Sequence, residues 1–265
     1  MLAVELVGAA TFLTFPAERA SDPALVVGEH RTVELVNRGG PQGQALLDRI
    51  AVNIGASVEA VEAFWGTDWS HRIVVTATDS ARQFAALASG DTDGDIAQWS
   101  DVAAVAVADR VDPQHRLVIG QRVVFAPDAD EMSTPALRIV LTHELFHYAT
   151  RVDTAADAPR WLVEGVADFV ARPEQSLAAL TGSVLTLPSD ADLDTPGPSR
   201  TQAYDRAWAF ARFVADWFGP AKLRELYLAA CGIGHVDVAS AVHRVLGVGL
   251  PDVLAGWQQW LASLR

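Results

Sequence analysis

His143-Glu144-Leu145-Phe146-His147, read together with Trp161-Leu162-Val163-Glu164-Gly165 downstream, decides how the rest of this chain is understood. The first stretch has the form H-E-x-x-H. On a helix its two histidines stand one turn apart on one face, so both imidazoles reach a single ion. Glu144, between them, is placed to handle the proton of a metal-bound water. The second stretch supplies a carboxylate, Glu164, as third ligand. Two histidines, one carboxylate and an open fourth position describe a catalytic Zn2+ site rather than a closed structural one.

The surroundings support helices at both stretches. Ser133-Thr134-Pro135 is a helix start, with Thr134 as cap and Pro135 at the first helical position. From Ala136 to Thr150 there is no Gly or Pro, and Leu137, Ile139, Val140, Leu141, Leu145 and Phe146 are apolar. A helix this apolar is buried, and buried imidazoles need partners. A second helix runs from Pro159 to Arg172, where Pro173 stops it. Glu164 and Asp168 share one of its faces, at i and i+4. Asp168 then stands where it accepts the free N–H of a ligating histidine, the usual outer support of a metal site. Gly165 allows this helix to approach a neighbour closely.

These residues resemble the gluzincins, metallopeptidases whose H-E-x-x-H is completed by a glutamate on a following helix. The closer resemblance is to the peptidase MA-like families, with L-x-H-E-x-x-H at Leu141–His147, W-L-x-E-G-x-A at Trp161–Ala167, and an aromatic-rich helix opening at Tyr204-Asp205-Arg206-Ala207-Trp208-Ala209-Phe210. The likeness covers roughly residues 45–263, and its zinc motifs are its specific part. Sixteen residues separate His147 from Glu164, a shorter spacer than in thermolysin-like enzymes. The resemblance implies a zincin-like α+β fold: an N-terminal mixed sheet, helices packed on the active-site helix, and a C-terminal helical subdomain. It implies a zinc-dependent peptidase acting on peptide or protein substrates, with Glu144 as general base. Some gluzincins place a transition-state tyrosine where Tyr204 stands here; packing in the core beside Trp208 and Phe213 is the equal alternative, and His235 is a second candidate donor. Zincins also bind peptides along an exposed sheet edge. Ala103–Ala108 has the position and small side chains for that, and reads equally well as an interior strand.

Asp153 competes for the third-ligand role, six residues after His147, as in the metzincins. That family needs Gly where Thr150 stands, and a Met-turn after the motif. The two methionines here, Met1 and Met132, both precede it. Glu164 is therefore the expected ligand.

Composition narrows the function classes. Half of the 265 residues are hydrophobic, enough for a large domain or two subdomains around a cleft. The net charge is −13, with a single lysine, Lys222, and no basic patch, which argues against a nucleic-acid partner. The one cysteine, Cys231, excludes an intrachain disulfide and reads as a small buried hydrophobe. Residues 1–17 are apolar but contain Glu5, lack a basic start and fall short of a spanning length. No membrane segment is expected in this chain. Cytoplasmic residence, or an exported or anchored ectodomain whose targeting segment lies upstream, both fit.

The order of elements places the motifs. Thr32–Val36 alternates as a strand and is followed by an Asn37-Arg38-Gly39-Gly40 turn. Gln44–Trp65 has helical spacing; Arg72–Thr76 is a strand, Asp79–Ala88 a short helix, and Val102–Val107 and Val123–Phe125 further strands. Four helices follow Leu187–Pro198, an Asp- and Pro-rich stretch expected to be an exposed loop: about 201–218, 220–230, 237–246 and 251–264. This divides the chain into an N-terminal segment (1–30), an α/β part with the edge strand (31–133), and the zinc-site helices with the helical subdomain (134–265). Asp91-Thr92-Asp93-Gly94-Asp95 reads as an acidic turn, since its Gly is at position four rather than the sixth position of a calcium loop. Two other functions stay open: a metal-binding module without proteolysis, and a catalytically silent zincin-like binding or sensor module. The presence of Glu144 argues against the first.

Overall fold

The computed structural model describes residues 24–28, 30–90, 96–173, 186–195 and 197–263. The Asp91–Asp95 turn and most of the N-terminal segment lie outside them. Five strands form one mixed sheet: β1 (Ala24–Val27), β2 (Arg31–Asn37), β3 (Arg72–Ala77), β4 (Ala104–Val107) and β7 (Arg122–Phe125), in the order β1-β2-β3-β7-β4. The inner strands β2, β3 and β7 run parallel; β1 and β4 are antiparallel and lie at the two edges. Among the described residues Ala104–Val107 is thus an edge strand rather than an interior one, with Ala104, Val105 and Ala106 buried. Between β4 and β7 the chain makes a separate hairpin, β5 (Arg110–Asp112) and β6 (Leu117–Ile119).

Helix α1 (Gly40–Trp65) crosses from β2 to β3. It starts four residues before the expected Gln44, inside the stretch read as a turn. The turn is made in two residues: the Asn37 side chain accepts from the Gly39 N–H at 2.9 Å, and Gly40 takes φ +61°. Pro41 then suits the first helical turn. Leu46, Leu47, Ile50, Ile54, Val58 and Val61 form the buried face of α1. Helix α2 (Ala81–Ser89) packs on the opposite side of the sheet, where Phe84, Trp99, Val105 and Val124 make a smaller core.

Helix α3 (Thr134–Thr150) carries H-E-x-x-H through the centre of the molecule. Its cap is Ser133, whose side chain accepts from the Ala136 N–H, one residue earlier than the expected Thr134. Every residue from Leu141 to Thr150 is buried. Helix α1, the sheet and a second helix pack around it. On α1, Asn53 takes the Arg138 guanidinium, and Ser57 meets Thr142 at 2.9 Å. Beneath, Tyr148 donates to the Arg72 carbonyl of β3 at 2.9 Å. On the third side lies α4 (Arg160–Ala171).

The C-terminal half is helical as expected: α5 (Asp190–Asp194), α6 (Pro198–Phe218), α7 (Pro220–Cys231), α8 (Val238–Leu246) and α9 (Leu250–Ser263). The Leu187–Pro198 stretch is more than an exposed loop. A reciprocal cap between Ser189 and Asp192 starts α5, and Leu193 is buried. One apolar core runs from β2 and β3 through α1, α3 and α4 to Trp257 on α9, so the two halves share it. Among the described residues no single helix is long and apolar enough to cross a membrane.

Candidate metal centre

Helix periodicity brings His143 and His147 to one face of α3, and the antiparallel approach of α4 brings Glu164 opposite them. Close packing makes this possible. A Cβ on Gly165 would stand 2.4 Å from the Ala207 carbonyl oxygen of α6, so only glycine lets α4 lie this near its other neighbour. His143 Nε2 is 3.0 Å from His147 Nε2 and 3.2 Å from Glu164 Oε2, and His147 Nε2 is 3.6 Å from that oxygen. These three buried residues form a group that could hold a metal ion. A tetrahedral ion with bonds of about 2.0–2.1 Å sets its ligand atoms about 3.3 Å apart, the spacing seen here to within a few tenths of an ångström.

Charge leads to the same conclusion. His143, Glu144, His147, Glu164 and Asp168 are all at most 7% exposed, and buried charges need compensation. The carboxylates of Glu144, Glu164 and Asp168 are faced by the guanidiniums of Arg151, Arg160 and Arg172. A divalent cation among His143, His147 and Glu164 would compensate the buried Glu164 carboxylate. Without an ion a proton on His143 takes part of that role. Burial opposes a charged His143, but its hydrogen bonds to Asp168 and Glu164 outweigh burial and raise its pKa to about 10. Burial lowers the pKa of His147, with Glu164 acting against it. Burial alone would raise Glu164, but the two imidazoles hold it below the usual carboxylate range.

Asp168 sits where the helix spacing put it. Its Oδ1 is 2.9 Å from His143 Nδ1, which fixes the ring so that Nε2 faces Glu164 and His147. The sequence reading missed what holds Asp168. Arg172, one turn on, brings Nη2 within 2.6 Å of Asp168 Oδ2, though poorly aligned for a hydrogen bond. Arg172 Nη1 also donates to Asp205 at 2.7 Å, joining α4 to α6 beside Tyr204. The i+4 step from Asp168 to Arg172 was a legible signal; nothing in the sequence pointed to Asp205. Burial would raise the Asp168 carboxyl, but Arg172 and His143 outweigh it and hold it low. Asp168→Ala should lower metal affinity by about 10- to 100-fold without removing a ligand. Competition against a chelator of known affinity checks this, and unchanged affinity would reduce Asp168 to a helix charge.

Glu144 is the second residue whose surroundings the sequence did not disclose. Its Oε2 accepts the Ala106 N–H of edge strand β4 at 2.7 Å. Burial pushes its carboxyl up to about 7, against the pull of His143. Tyr204, on α6, is half-buried, with its ring centroid 6.4 Å from that of His143. It thus stands beside the cluster and against the core together.

The remaining candidates lie elsewhere. Asp153 pairs with Arg116 at 2.6 Å beside a surface groove lined by Pro113, Leu228 and Ile233. Its carboxylate is not among the ligand atoms gathered by His143, His147 and Glu164. His235 meets Asp157 at 3.2 Å and the Val236 carbonyl at 3.1 Å. Cys231 is buried, with its thiol pushed up by burial, as a small core residue should be. Its carbonyl accepts from Ala155 at 2.8 Å, which pins the short spacer between α3 and α4 to α7. Comparison with protein-family models and with curated proteins finds no match for this chain.

Proposed function

We propose that the protein is a zinc-dependent peptidase of the gluzincin type. The observation that carries this reading is the position of Glu144. It lies in the same buried site as the His143–His147–Glu164 group and is bonded to an antiparallel edge strand. A metal module without hydrolysis would need Glu144 only as the partner of the Ala106 N–H, a task that a neutral side chain performs as well.

His143, His147 and Glu164 would hold the ion. When bound, zinc polarises a carbonyl oxygen and lowers the pKa of water towards neutrality. Asp168 holds His143 in the tautomer that presents Nε2. Ala106 holds Glu144 by Oε2, which leaves Oε1 to accept the proton of the attacking water and pass it to the leaving amine. Enclosure among α1, α3 and α4 keeps bulk water from the carboxylate and strengthens its interactions. The Tyr204 hydroxyl donates to the oxyanion that forms on the scissile carbonyl. The outer edge of β4 aligns the peptide by main-chain hydrogen bonds.

The test is hydrolysis of a pool of fluorescence-quenched peptides by the purified protein. Cleavage should stop on chelation and return with zinc. A protein that takes up zinc and cleaves no peptide would favour the silent binding module. Within an active enzyme, Tyr204→Phe should lower kcat by about 10²–10³ with zinc content and KM nearly unchanged, as for loss of one oxyanion donor. If kcat is unaltered and Tyr204→Ala lowers the melting temperature instead, the tyrosine is a core residue.

A further inference from the structure

The edge that would receive a peptide is already occupied at its central residue. In β4 the Ala103 carbonyl accepts from Ala126 N–H at 2.9 Å, and Val105 and Val107 follow it in facing β7. Antiparallel pairing alternates, so the N–H and C=O of Ala104 and Ala106 point away from the sheet. These are the groups an added strand uses. Both groups of Ala106 are held by α3: its N–H goes to Glu144, and its C=O accepts from Arg151 Nη2. Glu144 and Arg151 are seven residues apart, two helical turns, and so reach the same strand residue from one face.

The two contacts differ in kind. Glu144 must stay at the site for its proton transfer. Arg151 transfers no proton, although its charge faces Glu144 and Glu164, and its Nε lies buried without a hydrogen-bond partner. Burial also lowers its pKa, with Glu144 and Glu164 acting against that effect. A guanidinium with an unmet buried donor holds its position at a cost, which favours releasing the Ala106 carbonyl to another donor.

Resting on the peptidase reading, we propose that Arg151 is a latch on the peptide-pairing edge. It holds the Ala106 carbonyl in the peptide-free protein and yields it to a backbone N–H of an incoming extended peptide. The site therefore selects substrates long enough to pair as a strand, because only these replace the bond they displace. Arg151 is a positioning residue, acting through β4 rather than on the scissile bond.

Arg151→Met keeps most of the aliphatic stem and removes the donor. Kinetics of the zinc-loaded enzyme on quenched octapeptide and quenched dipeptide pools should split. KM for octapeptides should fall about tenfold, the scale of one displaced hydrogen bond from a charged donor. Zinc content should not fall, and any change in kcat from losing the charge beside Glu144 should be the same for both pools, so that only the octapeptide KM changes selectively. An octapeptide KM that is unchanged or raised overturns the latch. Where Met costs folding, Arg151→Lys serves: it keeps the charge but loses the planar fork, so its octapeptide KM should fall by less than tenfold, and a KM at or above that of the wild type overturns the latch. Hydrogen exchange of residues 104–108 gives a readout without turnover. The octapeptide pool should protect this strand at about tenfold lower concentration in Arg151→Met, and equal protection in both proteins overturns the latch. Absence of cleavage by either protein would sink the peptidase reading alone, because the exchange measurement still decides the latch.

Discussion

Glu144→Gln is expected to lower kcat by about 10²–10⁴ while leaving zinc content, fold and peptide binding in place. The substitution is close to isosteric. Its carbonyl oxygen can still accept the Ala106 N–H that Glu144 Oε2 accepts at 2.7 Å, so β4 keeps its position over α3. What it loses is basicity, since a carboxamide does not take a proton from water. Stability should not suffer. Burial already works against the ionised carboxyl, which is why its pKa is pushed up to about 7. A neutral side chain at a position 3% exposed avoids that desolvation. The measurements are single-turnover cleavage of a quenched peptide, elemental zinc analysis and thermal melting on the same preparation. Activity within a few-fold of wild type would move the general base elsewhere. Lost activity accompanied by lost zinc would mean that the carboxylate serves the ion rather than the water.

The fold was legible where apolar spacing alone decides it. The long apolar stripe of α1 and the punctuation around α3 and α4 place those helices within a few residues. Gly219-Pro220 separates α6 from α7 as expected, because glycine ends one helix and proline opens the next. Short elements were not legible. The hairpin of β5 and β6 has three residues in each strand, too few for an alternating pattern to stand out, and β1 has four. Helix α5 depends on a cap between Ser189 and Asp192 inside a stretch whose composition reads as loop.

The site divides along the same line. His143, His147, Glu164 and Asp168 were found because one helical period relates each pair, so sequence distance converts directly into space. Contacts between elements carry no such conversion. Nothing in Ala104–Val107 announces that one of its amides meets Glu144, or that Arg151 takes the carbonyl of the same residue. The sheet-edge position of β4 is likewise a property of strand order, which crosses from β3 to β7 before reaching it.

Glu164→Ala and Asp153→Ala should separate completely in metal content. Removing Glu164 takes away one of three ligand atoms that stand 3.0–3.6 Å apart and leaves two imidazoles facing an apolar substituent. It also deepens the electrostatic change, because the site loses one of the carboxylates that make a divalent cation favourable there. The affinity loss should exceed the about 10- to 100-fold expected for Asp168→Ala, which removes no ligand. Zinc per chain after dialysis should fall from about one to near zero, as it should for His143→Ala and His147→Ala. Asp153→Ala removes only a partner of Arg116, whose side chain is 51% exposed, and that guanidinium keeps Asp68 within 3.6 Å. An exposed pair of this kind contributes about 0–1 kcal/mol, so the melting temperature should move little and zinc content not at all. The reverse pattern, with zinc retained in Glu164→Ala and lost in Asp153→Ala, would assign the third ligand to the position six residues after His147. That outcome would require the chain beyond Thr150 to turn back towards the histidines. Here it is held away from them: Thr154 bonds the Tyr227 hydroxyl at 2.7 Å and Ala155 donates to the Cys231 carbonyl at 2.8 Å, so α7 fixes the spacer on the side that leaves Glu164 facing the imidazoles.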